Sequence, residues 1–142
     1  MTDNSERSLV LVKPDGVARG NVGEVLRRIE IKGYAIAALK LVHAEEDVLR
    51  AHYAEHADKP FFPGLLTFMT SGPLVALVIS GAGCVPGFRS LAGATDPTAA
   101  APGSIRGDLA RDRASGVIEN VVHGSDSAES AQREIGIWFP EL

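Results

Sequence analysis
The stretch Asn120-Val121-Val122-His123-Gly124-Ser125-Asp126 carries the residue type best suited to chemistry, a histidine between two β-branched residues and a glycine. Val121 and Val122 suit a short buried strand. Gly124 permits a tight turn, and Asp126 with Glu129 three residues later has the spacing of a capping box for a following helix. The unperturbed pKa of histidine, about 6.5, leaves a ring nitrogen unprotonated at neutral pH, and that nitrogen is a good nucleophile toward phosphorus. Phosphoryl transfer through a phosphohistidine is therefore one reading of His123; a satisfied polar residue at a strand end is the other. The formal net charge of -4 argues against a broad nucleic-acid surface, so an anionic substrate must be met by a local group of cations. Lys13, at a strand end, and Arg89 and Arg106, beside the expected loop, are candidates for that group.

These residues need elements to position them. Ser8 to Val12 is an apolar run that ends in Lys13-Pro14-Asp15-Gly16, which predicts a buried strand stopped by turn chemistry, with Lys13 at the strand end. Asn21 and Glu24 have capping-box spacing, Val22, Val25, Leu26 and Ile29 share one face, and Gly33 supplies a stop, so a helix is expected between them. Tyr34 to Val42 reads as extended and Glu45 to Ala57 as a helix with acidic residues in its first turn. Lys59 to Gly64 reads as a packed loop, Leu65 to Met69 as a short helix, Leu74 to Ile79 as a central strand, and Cys84 to Leu91 as a helix with an irregular start at Pro86-Gly87. The Ala-, Gly-, Pro- and Thr-rich stretch from Gly93 to Gly107 has no apolar period and is expected to be a functional loop, with Arg89, Thr95 and Arg106 in or beside it. After Asp108 to Glu119 come the histidine strand and a helix from Ser127 to Phe139, with Ala128, Ala131, Ile135 and Trp138 facing inward. The order β-α-β-β-α-β plus extra helices predicts an α+β, ferredoxin-like sandwich with a four-stranded antiparallel sheet.

With 142 residues, 45% of them apolar and 23% charged, the chain reads as one globular domain over 1–142. The polar start Met1 to Arg7 lacks the apolar core of a signal peptide and no run approaches the ~20 residues of a membrane span, so a cytoplasmic location is expected. The single cysteine, Cys84, excludes an internal disulfide framework and reads as structural. His52 and His56 are spaced i,i+4, which permits metal binding, but no third ligand accompanies them. Packed or solvated histidines are the expectation, as for His43, and no protein metal ligand is assigned.

The distributed motifs Val12-Lys13-Pro14-Asp15-Gly16-Val17, His52-Tyr53, Lys59-Pro60-Phe61-Phe62, Ser71-Gly72-Pro73, Arg89 with Leu91 and Gly93, Thr95-Asp96-Pro97, Pro102 to Asp108 and Asn120 to Asp126 resemble the nucleoside diphosphate kinase family. The resemblance runs from Glu6 to Phe139. It implies transfer of the γ-phosphate of a nucleoside triphosphate to a nucleoside diphosphate, with Mg²⁺ held mainly by the nucleotide phosphates, by a ping-pong route through a phosphohistidine. Carried over by position, it makes His123 the nucleophile and Glu134 the partner that orients its ring, and puts Tyr53 close by. Arg89, Thr95 and Arg106 become phosphate ligands, Lys13 and Asn120 hold the sugar hydroxyls and nearby phosphate, and Phe61 and Val117 flank the base. Asp126 has helix capping and an indirect influence on magnesium open to it. The resemblance also implies a homo-oligomer, hexamer or tetramer.

Two departures from the family pattern bear on function. About four extra residues lie between Arg106 and Asn120, at Arg111 to Gly116, beside the expected base-facing wall. Val85-Pro86-Gly87-Phe88 interrupts the usual helical sequence before Arg89. The first hypothesis is an active kinase of broad base specificity, the extra residues bulging into solvent. The second is a nucleotide-binding regulatory or pathway-specialised relative with reduced or narrowed activity. An RNA-binding ferredoxin-like domain is disfavoured by the acidic balance and by the lack of an aromatic and basic strand motif.

Overall fold
A computed structural model describes residues 6–142. Four strands, β1 (Arg7–Val12), β2 (Ala35–Val42), β3 (Leu74–Ser80) and β4 (Val122–Gly124), form one antiparallel sheet in the order β2-β3-β1-β4. That is the expected ferredoxin-like arrangement. The apolar runs of β1 and β3 occupy the two central positions, where both faces are covered.

Side chains alternate across a strand, so β1 feeds two cores. Val10 and Val12 join Leu77 and Ile79 on one face, packed by Val25 and Ile29 of α2 (Val22–Lys32) and by Phe88 of α5 (Cys84–Ala92). Leu9 and Leu11 join Ala76 and Val78 on the other. That face is covered by Leu49 of α3 (Glu46–His52), Met69 of α4 (Phe62–Met69), and Ile135 and Trp138 of α7 (Ala128–Trp138). The extra helices thus close the sheet face that a bare βαββαβ unit leaves open.

Several local expectations change. Pro14–Ala18 is a short helix, α1, because Pro at its first position is preset for a helical start. Asn21 precedes α2 with helical dihedrals and no capping bond from its side chain, and Glu24 pairs instead with Arg27 and Arg28. The helix expected from Glu45 to Ala57 ends at His52, with a 3₁₀ turn at Ala54–His56, so His52 and His56 do not share an α-helix. Helix α4 starts at Phe62, inside the expected loop, with Pro63 in its first turn. The loop that begins at Gly93 ends in a five-residue helix, α6 (Ile105–Leu109), capped by Ser104 accepting from Gly107 N. Pro86 and Gly87 do not interrupt α5: a proline in the first turn removes an N–H that has no helical partner. Ser127, not Asp126, caps α7, its Oγ accepting from Ser130 N, and Ala128 is exposed.

Strand β4 is only three residues long and excludes Val121, which has φ 72°. Gly124 is a strand residue, not a turn: a Cβ there would lie 2.5 Å from the Phe88 ring, so glycine is required for close approach.

Candidate active site
The β1–β4 register pairs Leu11 with His123, and residues paired across strands share a face. His123 therefore projects toward α3 and α7, while Val122 enters the opposite core. On α7, Ala131, Glu134, Ile135 and Trp138 form one buried stripe at helical spacing. A carboxylate inside an apolar stripe needs a partner. Glu134 Oε1 lies 2.8 Å from His123 Nε2 and accepts from Ser125 Oγ at 2.7 Å, and Ser125 Oγ in turn accepts from Leu9 N at 3.1 Å. The carboxylate fixes a proton on Nε2 and leaves Nδ1 with a lone pair.

Burial moves the His123 pKa below its ordinary value; hydrogen bonding and charge from Glu134 oppose this, and Lys13 and Arg106 add to it. The ring is thus neutral at pH 7. It lies in a cavity of about 340 Å³ whose lining includes Lys13, Tyr53, Arg89, Thr95, Arg106 and Asn120. A second cavity, of about 410 Å³, shares Lys13, Tyr53, Thr95 and Asn120 and adds Phe61, Leu65 and Val117 to Ile118. Every residue given a site role by the resemblance, Glu134 included, thus lines one or both spaces. One end is cationic and holds the histidine; the other is mainly apolar.

Lys13 leaves β1 at the cavity floor, where its Nζ donates to Asn120 Oδ1 at 2.9 Å; Asn120 Nδ2 donates to Thr95 O at 2.8 Å. Burial, and to a smaller extent Arg106, lowers the Lys13 pKa to about 8. Arg106 has two tasks. It donates to the carbonyls of Asn120, Gly93 and Val122 at 3.3, 2.9 and 2.7 Å, which ties its helix to β4, and it keeps N–H groups free for an anion. Burial and the neighbouring Arg89 bring its pKa down to about 10, so it stays charged at neutral pH. Arg89 stands exposed at the rim on an uninterrupted helix.

The extra residues lie beside the apolar end. Arg111, Asp112, Ala114, Ser115 and Gly116 are exposed, while Val117 and Ile118 line the cavity opposite Phe61, itself 54% exposed. Arg19 of the α1–α2 connection holds Glu119 at 3.2 Å, securing the far end of this segment.

Three features escaped the sequence reading. Ser125, a small residue beyond the histidine, is fully buried on Glu134. His52, read as a packed or solvated residue, is buried with its ring centroid 4.6 Å from that of His123 and nearly perpendicular to it; its Nδ1 accepts from Trp138 Nε1 at 3.0 Å. Burial, with the nearby His123, Arg133 and Lys13, pushes its pKa well below the ordinary value. Its three-residue spacing from Leu49 was the available signal. Asp15, read as a turn residue, is buried on Val121 N. His52, His123 and Glu134 bring ligand atoms within 4.8 Å of one another, but each already uses such an atom in a hydrogen bond.

The nucleoside diphosphate kinase model matches residues 6–142. The chain belongs to the nucleoside diphosphate kinase family. Nucleoside diphosphate kinases from Nocardia farcinica and Mycobacteroides abscessus are each 60% identical to it over 139 residues, covering 97% of this chain and 97% and 99% of theirs. Among solved structures, the halophilic nucleoside diphosphate kinase of Halobacterium salinarum, in complex with CDP, is similar at a TM-score of 0.90 and 46% identity, over 96% of this chain and 88% of that one. The nucleoside diphosphate kinase of Encephalitozoon cuniculi is similar at 0.88 and 38% identity, over 94% and 88%. Among the described residues, no helix is long and apolar enough to cross a membrane.

Proposed function
We propose that this nucleoside diphosphate kinase family member moves the γ-phosphate of a nucleoside triphosphate to a nucleoside diphosphate through His123. The observation that carries the reading is the 2.8 Å pair between His123 Nε2 and Glu134, set in a cavity faced by Lys13, Arg89 and Arg106. His123 Nδ1 attacks the γ-phosphorus as the bond to the bridging β,γ-oxygen breaks and the diphosphate leaves. The ring gains positive charge as the N–P bond forms, and the Glu134 carboxylate stabilises it. In the second half, a terminal oxygen of the acceptor's β-phosphate attacks the same phosphorus and the N–P electrons return to Nδ1. No proton has to leave Nε2 in either half. Arg89, Arg106 and Thr95 meet the equatorial oxygens, where fixed donors stabilise transition-state charge. Lys13 and Asn120 hold the sugar hydroxyls and nearby phosphate, Tyr53 packs beside the histidine, and Phe61 and Val117 enclose the base.

The donors around the phosphate end suit magnesium carried in on the nucleotide. They are mostly cations, Glu134 is committed to His123, and Asp126 is an exposed carboxylate on the same cavity, able to reach the ion through water. Magnesium would neutralise charge on the nucleotide phosphates. Neither departure breaks an element at the reacting end: Pro86 and Gly87 leave α5 continuous and the extra residues lie beside the apolar end, which favours an active enzyme over a regulatory relative. A cytoplasmic location, where nucleoside diphosphates and triphosphates are plentiful, fits this reaction. Exposed Ile31, Leu39 and Leu41, on α2 and the sheet-edge strand β2, suit assembly into a homo-oligomer, hexamer or tetramer, which light scattering would size.

Incubation with labelled ATP and Mg²⁺ is expected to give an acid-labile, alkali-stable phosphoenzyme that passes its label to GDP or CDP. His123→Ala should abolish the label. Full labelling of that variant would overturn the reading.

A further inference from the structure
Val121 is fully buried and, with Ala114, is one of two non-glycine residues at positive φ among those described. Val122 N donates to Asn120 O at 2.7 Å across it, an i to i+2 bond. That bond around a positive φ marks the rare, strained form of γ-turn, and a β-branched side chain is poorly suited to it. Such a conformation persists only when its surroundings hold it.

The holding contacts are specific. The Asn120 and Val122 carbonyls accept from Arg106, and the Val121 carbonyl accepts from Lys13 N at 2.7 Å. The N–H of Val121 itself donates to Asp15 Oδ2 at 3.0 Å. The Asp15 side chain is 2% exposed; among the described residues Oδ1 has no hydrogen-bond partner, and Arg19 approaches Oδ2 only at 3.5 Å. A buried carboxylate is costly, and the one short contact this one makes is to the centre of the strained turn. The turn's two ends are Asn120, which points into the nucleotide cavities, and the strand that presents His123.

We propose that Asp15 is a positioning residue for phosphoryl transfer: through the Val121 N–H it holds the strained turn that aims Asn120 and His123. The proposal rests on the reading of His123 as nucleophile. Without the carboxylate, Val121 relaxes toward negative φ, the chain entering β4 rotates, and the imidazole loses its alignment. Glycine adopts positive φ readily, so Val121→Gly removes much of the need for the clamp.

The test is single-turnover phosphorylation by ATP and Mg²⁺, expressed as a rate per labelled site, in the wild type, Asp15→Ala, Asp15→Asn, Val121→Gly and the double variant Asp15→Ala/Val121→Gly. Asp15→Ala should slow the rate per site at least tenfold, and Asp15→Asn, which keeps an acceptor for the N–H, should slow it less. In the Val121→Gly background the loss from Asp15→Ala should shrink to threefold or less. An equal loss in both backgrounds would overturn the proposal. So would an unchanged rate per site with fewer sites labelled, the result of a merely structural role. Should Asp15→Ala fail to fold, Asp15→Asn carries the same comparison: at least a threefold loss with Val121 and none with Gly at that position, equal losses again overturning it. Absence of label in the wild type, or its retention in His123→Ala, defeats the nucleophile reading and the proposal with it; a labelled wild type indifferent to Asp15 defeats the proposal alone.

Discussion
At the residue scale, the site works by giving each ionisable side chain a different environment. His123 is buried enough to stay neutral and has a carboxylate on one nitrogen, so the other is free to react. Lys13 is also buried, but the role proposed for it requires the charged form, and burial lowers its pKa to about 8. In the proposed reaction the signs are opposite: His123 attacks when deprotonated, above its lowered pKa, and Lys13 meets phosphate when protonated, below about 8. For the half-reaction with saturating Mg²⁺, kcat/KM is therefore expected to be bell-shaped, with its acid limb below pH 6.5 and its alkaline limb near 8, because this ratio reports groups on the free enzyme. Lys13→Arg should remove the alkaline limb, since arginine keeps its charge throughout this range. An alkaline limb at the same pH in that variant would assign it to another group.

Among the elements, the segment between α6 and β4 is the one that, in the proposed reading, faces the base. Its charged residues Arg111 and Asp112 face solvent, and it offers Val117 and Ile118 to the cavity opposite Phe61. An apolar wall and an aromatic face discriminate poorly among bases, because every base has a π-face, whereas a site that pairs with a base edge rejects mismatches strongly. The kcat/KM values for ADP, GDP, CDP, UDP and TDP, at saturating donor, are expected to fall within about tenfold, or 1.4 kcal/mol. A thousandfold preference that disappears on deletion of Arg111 to Ala114 would mean that this segment reads the base.

For the whole molecule, the sheet connects the site to both cores, and the site's histidines become part of its stability. His52 and His123 have folded-state pKa values below the 6.5 of the unfolded chain. As pH falls through 6.5 the unfolded state takes up protons that the folded state does not, so stability declines from there down through the folded pKa values. The limiting slope is about 1.4 kcal/mol per pH unit for each histidine. Tm is expected to fall by several degrees between pH 7 and 5, at about 4 °C per kcal/mol for a domain of this size. His52→Gln should flatten the decline; an unchanged Tm over that interval would show that the two rings accept protons within the fold.

The sequence alone determined most of what is local or periodic. The apolar runs at Ser8 to Val12 and Leu74 to Ile79 could be buried only as central strands, and Gly33 at φ 108° ends its helix as expected. The cations and the histidine were identifiable by residue type and by likeness to a known pattern, because phosphate chemistry uses few side chains. Tertiary structure decided what depends on contacts across the chain. Ser127 displaced Asp126 as the cap of α7 because several residues there can serve and the chain's path chooses among them. His52 and Ser125 joined the site because α3 and β1 bring them to α7, a proximity that no spacing within either segment encodes. Val121 most clearly marks the limit: its β-branched side chain argues for a strand, yet it takes a positive φ, because contacts from Lys13, Asp15 and Arg106, distant in the chain, outweigh its local preference.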